Sequence, residues 1–294
     1  MAIPDTDMPQ LFRAADQASR AGQRSYLRLT QLRLTFVVAA AACGVASWRM
    51  GDHDIDLLGL VALLLFIGAL LVESQLWKQH PERDWYDGRA VAESAKTLSW
   101  KFAAAGDPFP RTMNNDEADR TFVSLLDTMR ARYPQLSLDA IIGSNLTPWM
   151  RSARSANLDE RKRIYIADRV QDQQKWYQDR HNQNRRKARF WRIGLIALEF
   201  GGAAAALLES LTDIGLTFTP TLAAAIGAIV AWLETKQHDQ IARAYATTVS
   251  DLASALAKLE AATTEEDWAR EMNDAEDAIS REHTLWLASR SHAG

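Results

Sequence analysis

The sequence predicts an all-α integral membrane protein with two transmembrane helical hairpins and a cytoplasmic helical domain of extended lead-in and lead-out helices. Three observations predict it. Four apolar runs stand out of an otherwise polar chain. The polar stretches between them carry apolar residues at helical spacing, and no stretch alternates as a half-buried strand does. The 294 residues suffice for one large or two ordinary domains. A net charge of −3 gives no global basic signature, so nucleic acid is not an expected partner. The single cysteine, Cys43, excludes an intramolecular disulfide and a cysteine-based zinc cluster.

The chain opens with about thirty polar residues, which argues against a secretory signal peptide. They lead into the first apolar run, Leu34–Trp48. The second is Leu57–Val72, the third Ile193–Leu208 and the fourth Ile214–Leu233. The fourth holds twenty residues without a charge, enough to cross a bilayer. The others hold fifteen or sixteen, and flanking Arg33, Arg49 and Arg192 can lengthen them by snorkelling. Four buried helices of a soluble bundle are the alternative, but the second run lacks any polar face. Arg13, Arg20, Arg24, Arg28 and Arg33 precede the first run, and a basic stretch, Arg180–Arg192, precedes the third. The short loops inside each pair carry acids: Asp52, Asp54 and Asp56 in one, Glu209 and Asp213 in the other. The charge bias puts both loops outside and both termini and the middle region inside, a multi-pass arrangement.

The two hairpins look like one plan used twice. They begin at Leu34 and Ile193 and exit at Glu73 and Glu234, a repeat of about 160 residues. The first unit spans 1–133, an irregular connection 134–156, and the second unit 157–294. In the first lead-out, Val91, Ala95, Leu98 and Phe102 form an apolar stripe, and Trp85, Arg89, Glu93, Lys96 and Trp100 form the opposite one. Gly106–Asp116 reads as a loop, with a helix from about Glu117 to Tyr133. The second lead-out carries stripes at Tyr245, Val249, Leu252, Leu256 and Leu259, then at Trp268, Met272, Ala275, Ile279 and Trp286. Thr263–Asp267 reads as the cap of the last helix.

The stretch WYDGRAVAESAKTLSWKF (Trp85–Phe102) followed by AAAGDPF resembles the hallmark of the SLATT families, two-transmembrane effector domains of bacterial nucleotide-signalling conflict systems. The matching positions are Trp85, Arg89, Ala92, Glu93, Lys96 and Trp100, then Gly106, Pro108 and Phe109. RVQDQQKWY (Arg169–Tyr177) and AEDAISREHTLWLASR (Ala275–Arg290) resemble a sister SLATT family, so the chain is similar to a tandem SLATT protein. The resemblance implies a homo-oligomeric effector in the bacterial inner membrane, opening a pore or perturbing the bilayer on an infection signal. It also implies a separate nucleotide-producing or nucleotide-sensing partner, because this chain shows no such domain. A non-conducting membrane scaffold that recruits or restrains a soluble partner is the alternative.

No HExxH, Walker loop, GxSxG or GxGxxG is present, so no catalytic residues, metal or cofactor are expected. Glu199, inside the third run, is a pore-lining candidate, because an intramembrane carboxylate costs roughly 2.5–3.5 kcal/mol on insertion scales. It either faces water in an assembly, snorkels to the inner surface, or pairs with Arg189 or Arg192. Glu73 and Glu209 are further candidates at span ends. Small-residue stretches such as Gly201–Leu208 allow close helix approach within or between chains. Trp85, Arg89, Glu93, Lys96, Trp100, Arg169, Trp176, Glu276, Glu282 and Trp286 are candidates for a cytoplasmic interface or ligand site. The Trp85–Trp100 stripe either stacks a nucleotide or packs on a neighbouring helix. Arg180–Arg192 binds either phosphates or anionic lipid heads.

Overall fold

The computed structural model describes residues 3, 5–45, 49–50, 55–138, 143–212 and 216–291, with side chains to Ser280. The elements are α1 (Gln10–Cys43), β1 (Arg49–Met50), β2 (Ile55–Asp56), α2 (Leu57–Gln79), α3 (Pro81–Ala103), α4 (Asn115–Ala131), α5 (Pro148–Ser155) and α6 (Leu158–Tyr165). A π-helical turn (Ile166–Gln171), α7 (Asp172–Leu211), α8 (Thr219–Lys236), α9 (His238–Ala261) and α10 (Glu265–Ser291) complete them. Among the described residues the fold is all-α but for one two-residue antiparallel ladder, in which Arg49 pairs with Asp56 and Met50 with Ile55.

Local signals set the ends. Asp56 accepts from the Leu58 amide at 3.1 Å and caps α2. At the start of α10, Thr264 Oγ1 accepts from the Asp267 amide and donates to Asp267 Oδ2, a reciprocal cap where the threonine–acid cluster predicts one. α2 and α8 end on the same device. His80 (φ 44°) and Gln237 (φ 49°) take the left-handed conformation, and their amides return to Leu76 and Leu233 carbonyls. A new helix then starts at once, so the repeat of layout extends to the joints.

Several boundaries differ from the sequence expectation. α5 occupies part of the stretch expected to be irregular, with Pro148 pre-set at its first turn. α4 starts and ends two residues earlier than expected, because Asn114 caps it through the Glu117 amide. α8 begins at Thr219 rather than Ile214. Trp48, Asp52, His53, Asp54, Asp213 and Ile214 lie outside the described residues. Among the described residues, two helical stretches, Leu57–Ala103 and Leu158–Leu211, are long and apolar enough to cross a membrane. The first apolar run is described as helix only to Cys43, and the eighteen residues of α8 include Glu234 and Lys236.

The chain divides into two compact units that cut across the linear halves. One comprises residues 1–23, 82–182 and 242–294; the other comprises 24–81 and 183–241. The first has a dense core of Phe12, Val91, Trp100, Phe102, Phe109, Phe122, Tyr165, Trp268 and Met272. Here α3 crosses the start of α1 at Gly88, where a Cβ would stand 2.8 Å from the Ala15 carbonyl and the Ser19 nitrogen. The Ser19 hydroxyl donates to the Trp85 carbonyl at 2.9 Å beside this crossing.

The second unit holds the rest of α1, α2, the end of α7, and α8. At Gly68, α2 approaches α1 so closely that a Cβ would meet the Phe36 ring at 2.9 Å. Each hairpin carries an arginine–acid pair at the end away from its short loop, Arg33 with Glu73 and Arg192 with Asp239. The apolar side chains of this unit point outward: Leu64, Leu70 and Leu71 of α2 and Phe200 of α7 are at least 65 % exposed. Such a surface belongs in lipid or against other protein, not in water.

Gly88→Ala is expected to destabilise the first unit. Overpacking against backbone atoms costs about 1–3 kcal/mol, more than the roughly 0.5–1 kcal/mol alanine gains inside a helix. Gly201→Ala, whose Cβ meets nothing within 4 Å, should show no loss. Equal thermal midpoints for the two variants would refute the close crossing.

Candidate functional site

Two of the interface residues predicted from sequence, Arg169 and Glu276, form one buried ion pair. The π-helical turn inserts an extra residue into the helix that joins α6 to α7, and Arg169 and Val170 of this turn are buried. Arg169 donates to Glu276 of α10 through Nε (2.9 Å) and Nη2 (2.7 Å). Both side chains are almost fully buried, at 1 % and 0 % exposed. The carboxylate also accepts from Thr97 Oγ1 of α3 (2.8 Å) and Tyr165 Oη of α6 (3.0 Å). Two oxygens thus receive four donors, the arrangement that makes a buried charge tolerable. Arg169 Nη1 is buried without a hydrogen-bond partner among the described residues.

Electrostatics follow from this geometry. Burial works against the Arg169 cation, but the Glu276 charge overrides it and holds the guanidinium above its ordinary value. Burial, reinforced by Glu276, pushes the Tyr165 hydroxyl well above the usual phenol range. Lys96, half-buried with Nζ 6.0 Å from the Phe12 ring centre, is pulled below the ordinary lysine value, first by burial and then by Arg169.

Trp100 seats beside the pair. Its ring meets Trp149 edge-on at 5.1 Å and Tyr165 at 5.8 Å, and Tyr165 meets Trp268 at 5.6 Å. Trp85 is buried at the Gly88 crossing, with its ring 5.1 Å from that of Tyr86. Arg89 and Glu93 pair at 3.2 Å, about one-third exposed. The charged stripe of α3 is therefore packed at both ends and half-open in the middle. Trp176 meets Tyr177 and Tyr245 edge-on and takes the Arg180 guanidinium over its ring at 5.4 Å. Glu282 and Trp286 belong to the last turns of α10, where side chains lie outside the described residues.

Two further arginines, not singled out by the sequence, hold the loop that follows α3. Arg154 of α5 donates to the carbonyls of Phe109 (2.8 Å), Pro110 (3.1 Å) and Met113 (3.2 Å). Arg161 of α6 donates to the Ala104 carbonyl (2.9 Å) and pairs with Glu265. Trp268 Nε1 donates to the same Ala104 carbonyl at 2.8 Å. A Cβ at Gly106 would stand 2.5 Å from Met272 Sδ, so a larger residue there displaces the Met272 side chain. Among single-sequence signals, only the density of arginines in Arg151–Arg163 hints at these anchors.

The membrane carboxylates separate. Glu199 is exposed and has no hydrogen bond or ion pair among the described residues. Arg192 is not its partner, being paired with Asp239. Glu73 is paired with Arg33. Glu209 accepts from the Phe218 amide (2.6 Å), the Thr219 amide (3.0 Å) and the Thr219 hydroxyl (2.8 Å), so it caps the start of α8. Among the described residues no group of three His, Cys, Asp or Glu could hold a metal. The arrangement can clamp helices together and carry an ionisable group into an apolar layer.

Glu276→Gln leaves a buried guanidinium without its counter-charge and is expected to destabilise the fold by about 3–5 kcal/mol. Replacing both partners, with Arg169→Met and Glu276→Leu, should lose less. Denaturant titration followed by tryptophan fluorescence reads the difference, and a double variant worse than the single one would overturn this account of the pair.

Two family models match the chain end to end. The SMODS and SLOG-associating 2TM effector domain 3 covers residues 9–162. The SMODS and SLOG-associating 2TM effector domain 1 covers residues 165–286. No curated protein and no solved structure matches the chain. The junction between the two matches falls just before Tyr165 and Arg169, so the buried Glu276 network, wholly inside the first compact unit, draws Thr97 from the first matched region and the rest from the second. The chain belongs to the SLATT family and carries two of its two-transmembrane units in tandem.

Proposed function

We propose that the protein is an oligomeric membrane effector that crosses the bilayer four times and opens an ion pathway when a partner signals. The observation that carries this reading is Glu199, an exposed and unpartnered carboxylate on an otherwise apolar stretch of α7. In lipid such a group is unfavourable by roughly 2.5–3.5 kcal/mol. Neighbouring subunits that enclose water along α7 relieve this penalty, and a ring of carboxylates favours cations. The exposed apolar surfaces of α2 and α7 supply the contacts with lipid and with neighbouring copies. The four-span topology rests on the apolar ends of α1 and α8 accompanying α2 and α7, with both termini in the cytoplasm. The trigger comes from a separate nucleotide-producing or nucleotide-sensing protein, in keeping with the SMODS and SLOG association in the family description.

A second reading, a non-conducting scaffold, draws on α2, which carries no polar side chain from Leu57 to Val72. Flux from liposomes reconstituted with purified protein separates the two. The pore reading expects protein-dependent cation flux and a loss of cation selectivity in Glu199→Gln. Unchanged selectivity would remove Glu199 from the pathway. No flux from inserted, assembled protein, with and without candidate cyclic nucleotides, would favour the scaffold.

A further inference from the structure

A groove of about 740 Å³ opens between α1, α7 and α8, wholly inside the second unit. Its floor is Ala39, Ala42, Ala225 and Ala228, and Trp191 and Trp232 flank one end. Thr35, on its wall, donates its hydroxyl to the Gln31 carbonyl of its own helix at 2.8 Å, so the wall is effectively apolar. Along α1 the lining runs from Gln31 to Ala42, roughly 16 Å at 1.5 Å per residue. That is about half of the ~30 Å hydrocarbon thickness, the depth of one leaflet.

The end marked by Gln31, Trp191 and Trp232 has a basic rim. One helical turn beyond the lining residue on each of the three helices stands a cation: Arg28 before Gln31, Lys187 before Trp191, and Lys236 after Trp232. Lys236 Nζ sits 5.2 Å from the Trp232 ring centre. Burial first, and then the charges of Lys187 and Lys236, lower the His238 imidazole. Asp239 is paired with Arg192.

We propose that this groove is a binding site for one anionic phospholipid of the inner leaflet. An acyl chain lies along the alanine floor, and the phosphate meets Arg28, Lys187 and Lys236. The inference rests on the membrane reading above. The apolar lining runs along α1 and α8, the aromatic flank comes from α7 and α8, and a cation stands one turn beyond on each of the three helices, which matches a lipid in both dimension and charge.

The test uses full-length protein in mild detergent, incubated with mixed micelles of phosphatidylglycerol and phosphatidylcholine bearing palmitoyl chains, with retained lipid read by native mass spectrometry. The wild type is expected to keep one phosphatidylglycerol per chain in preference to phosphatidylcholine. Lys187→Gln and Lys236→Gln should each weaken that retention about fivefold while sparing phosphatidylcholine. Ala228→Phe, which fills the floor, should lower retention of both lipids. Equal phosphatidylglycerol retention in wild type and the lysine variants would overturn the proposal. So would efficient disulfide cross-linking of two copies through Ala39→Cys in a Cys43→Ser background, because a second copy would then occupy the groove. Alkaline extraction of membranes keeps the two readings apart. Release of the chain into the aqueous fraction sinks both, whereas a membrane-retained chain with charge-insensitive lipid retention sinks the lipid site alone.

Discussion

The ion pair between Arg169 and Glu276 is the constraint on which the rest of the helical unit depends. A guanidinium and a carboxylate with essentially no exposure persist only when each is matched and hydrogen-bonded. The match draws Thr97 from α3, Tyr165 from α6, Arg169 from the π-helical turn and Glu276 from α10 into one point. Misplacing any of these helices strands a buried charge. The two family units are therefore tandem in sequence but not independent in space. The core of the first compact unit is completed by residues of both.

A second set of arginines solves a different problem. The turn after α3 packs its Phe109 into the core, and its carbonyls would be buried without partners. Arg154 and Arg161, each almost fully buried, supply the missing donors as rigid forks. Gly106 lets Met272 approach the same turn, and Trp268 adds a donor to Ala104. The Gly106–Phe109 motif is thus a packing element between α3 and α10, and its residue types follow from space and hydrogen bonding.

What the sequence made legible was periodic or punctuated. The stripe of Val91, Ala95, Leu98 and Phe102 and the threonine–acid cap of α10 both appear in the structure, as does helix over the second and third apolar runs. The duplicated left-handed joints at His80 and Gln237 were not legible, because neither residue type demands that conformation. Buried arginines escaped for a related reason. In a basic stretch, an arginine that satisfies carbonyls reads like one that faces water. The π-helical turn that aims Arg169 inward leaves no compositional trace. Trp85 and Trp100 were visible as oddities on a charged face, and the structure resolves them as packing at the two ends of α3.

The membrane unit turns on a comparison of magnitudes. Between Ile193 and Leu208, α7 carries seven leucine, isoleucine or phenylalanine residues. At about 0.3–0.6 kcal/mol each they favour insertion by roughly 2–4 kcal/mol, close to the penalty of one carboxylate at mid-span. Helix α7 alone is therefore near balance, whereas α2, with no ionisable residue until Glu73, is strongly committed to lipid. Contact with α8 at Gly202, where Ile226 and Leu222 approach to 3.9 and 4.0 Å of an added Cβ, tips α7 inward without touching Glu199. Only an aqueous or protein neighbour at that face removes the remaining penalty. The neighbour that this face of α7 meets therefore sets how favourably the helix sits in an apolar layer.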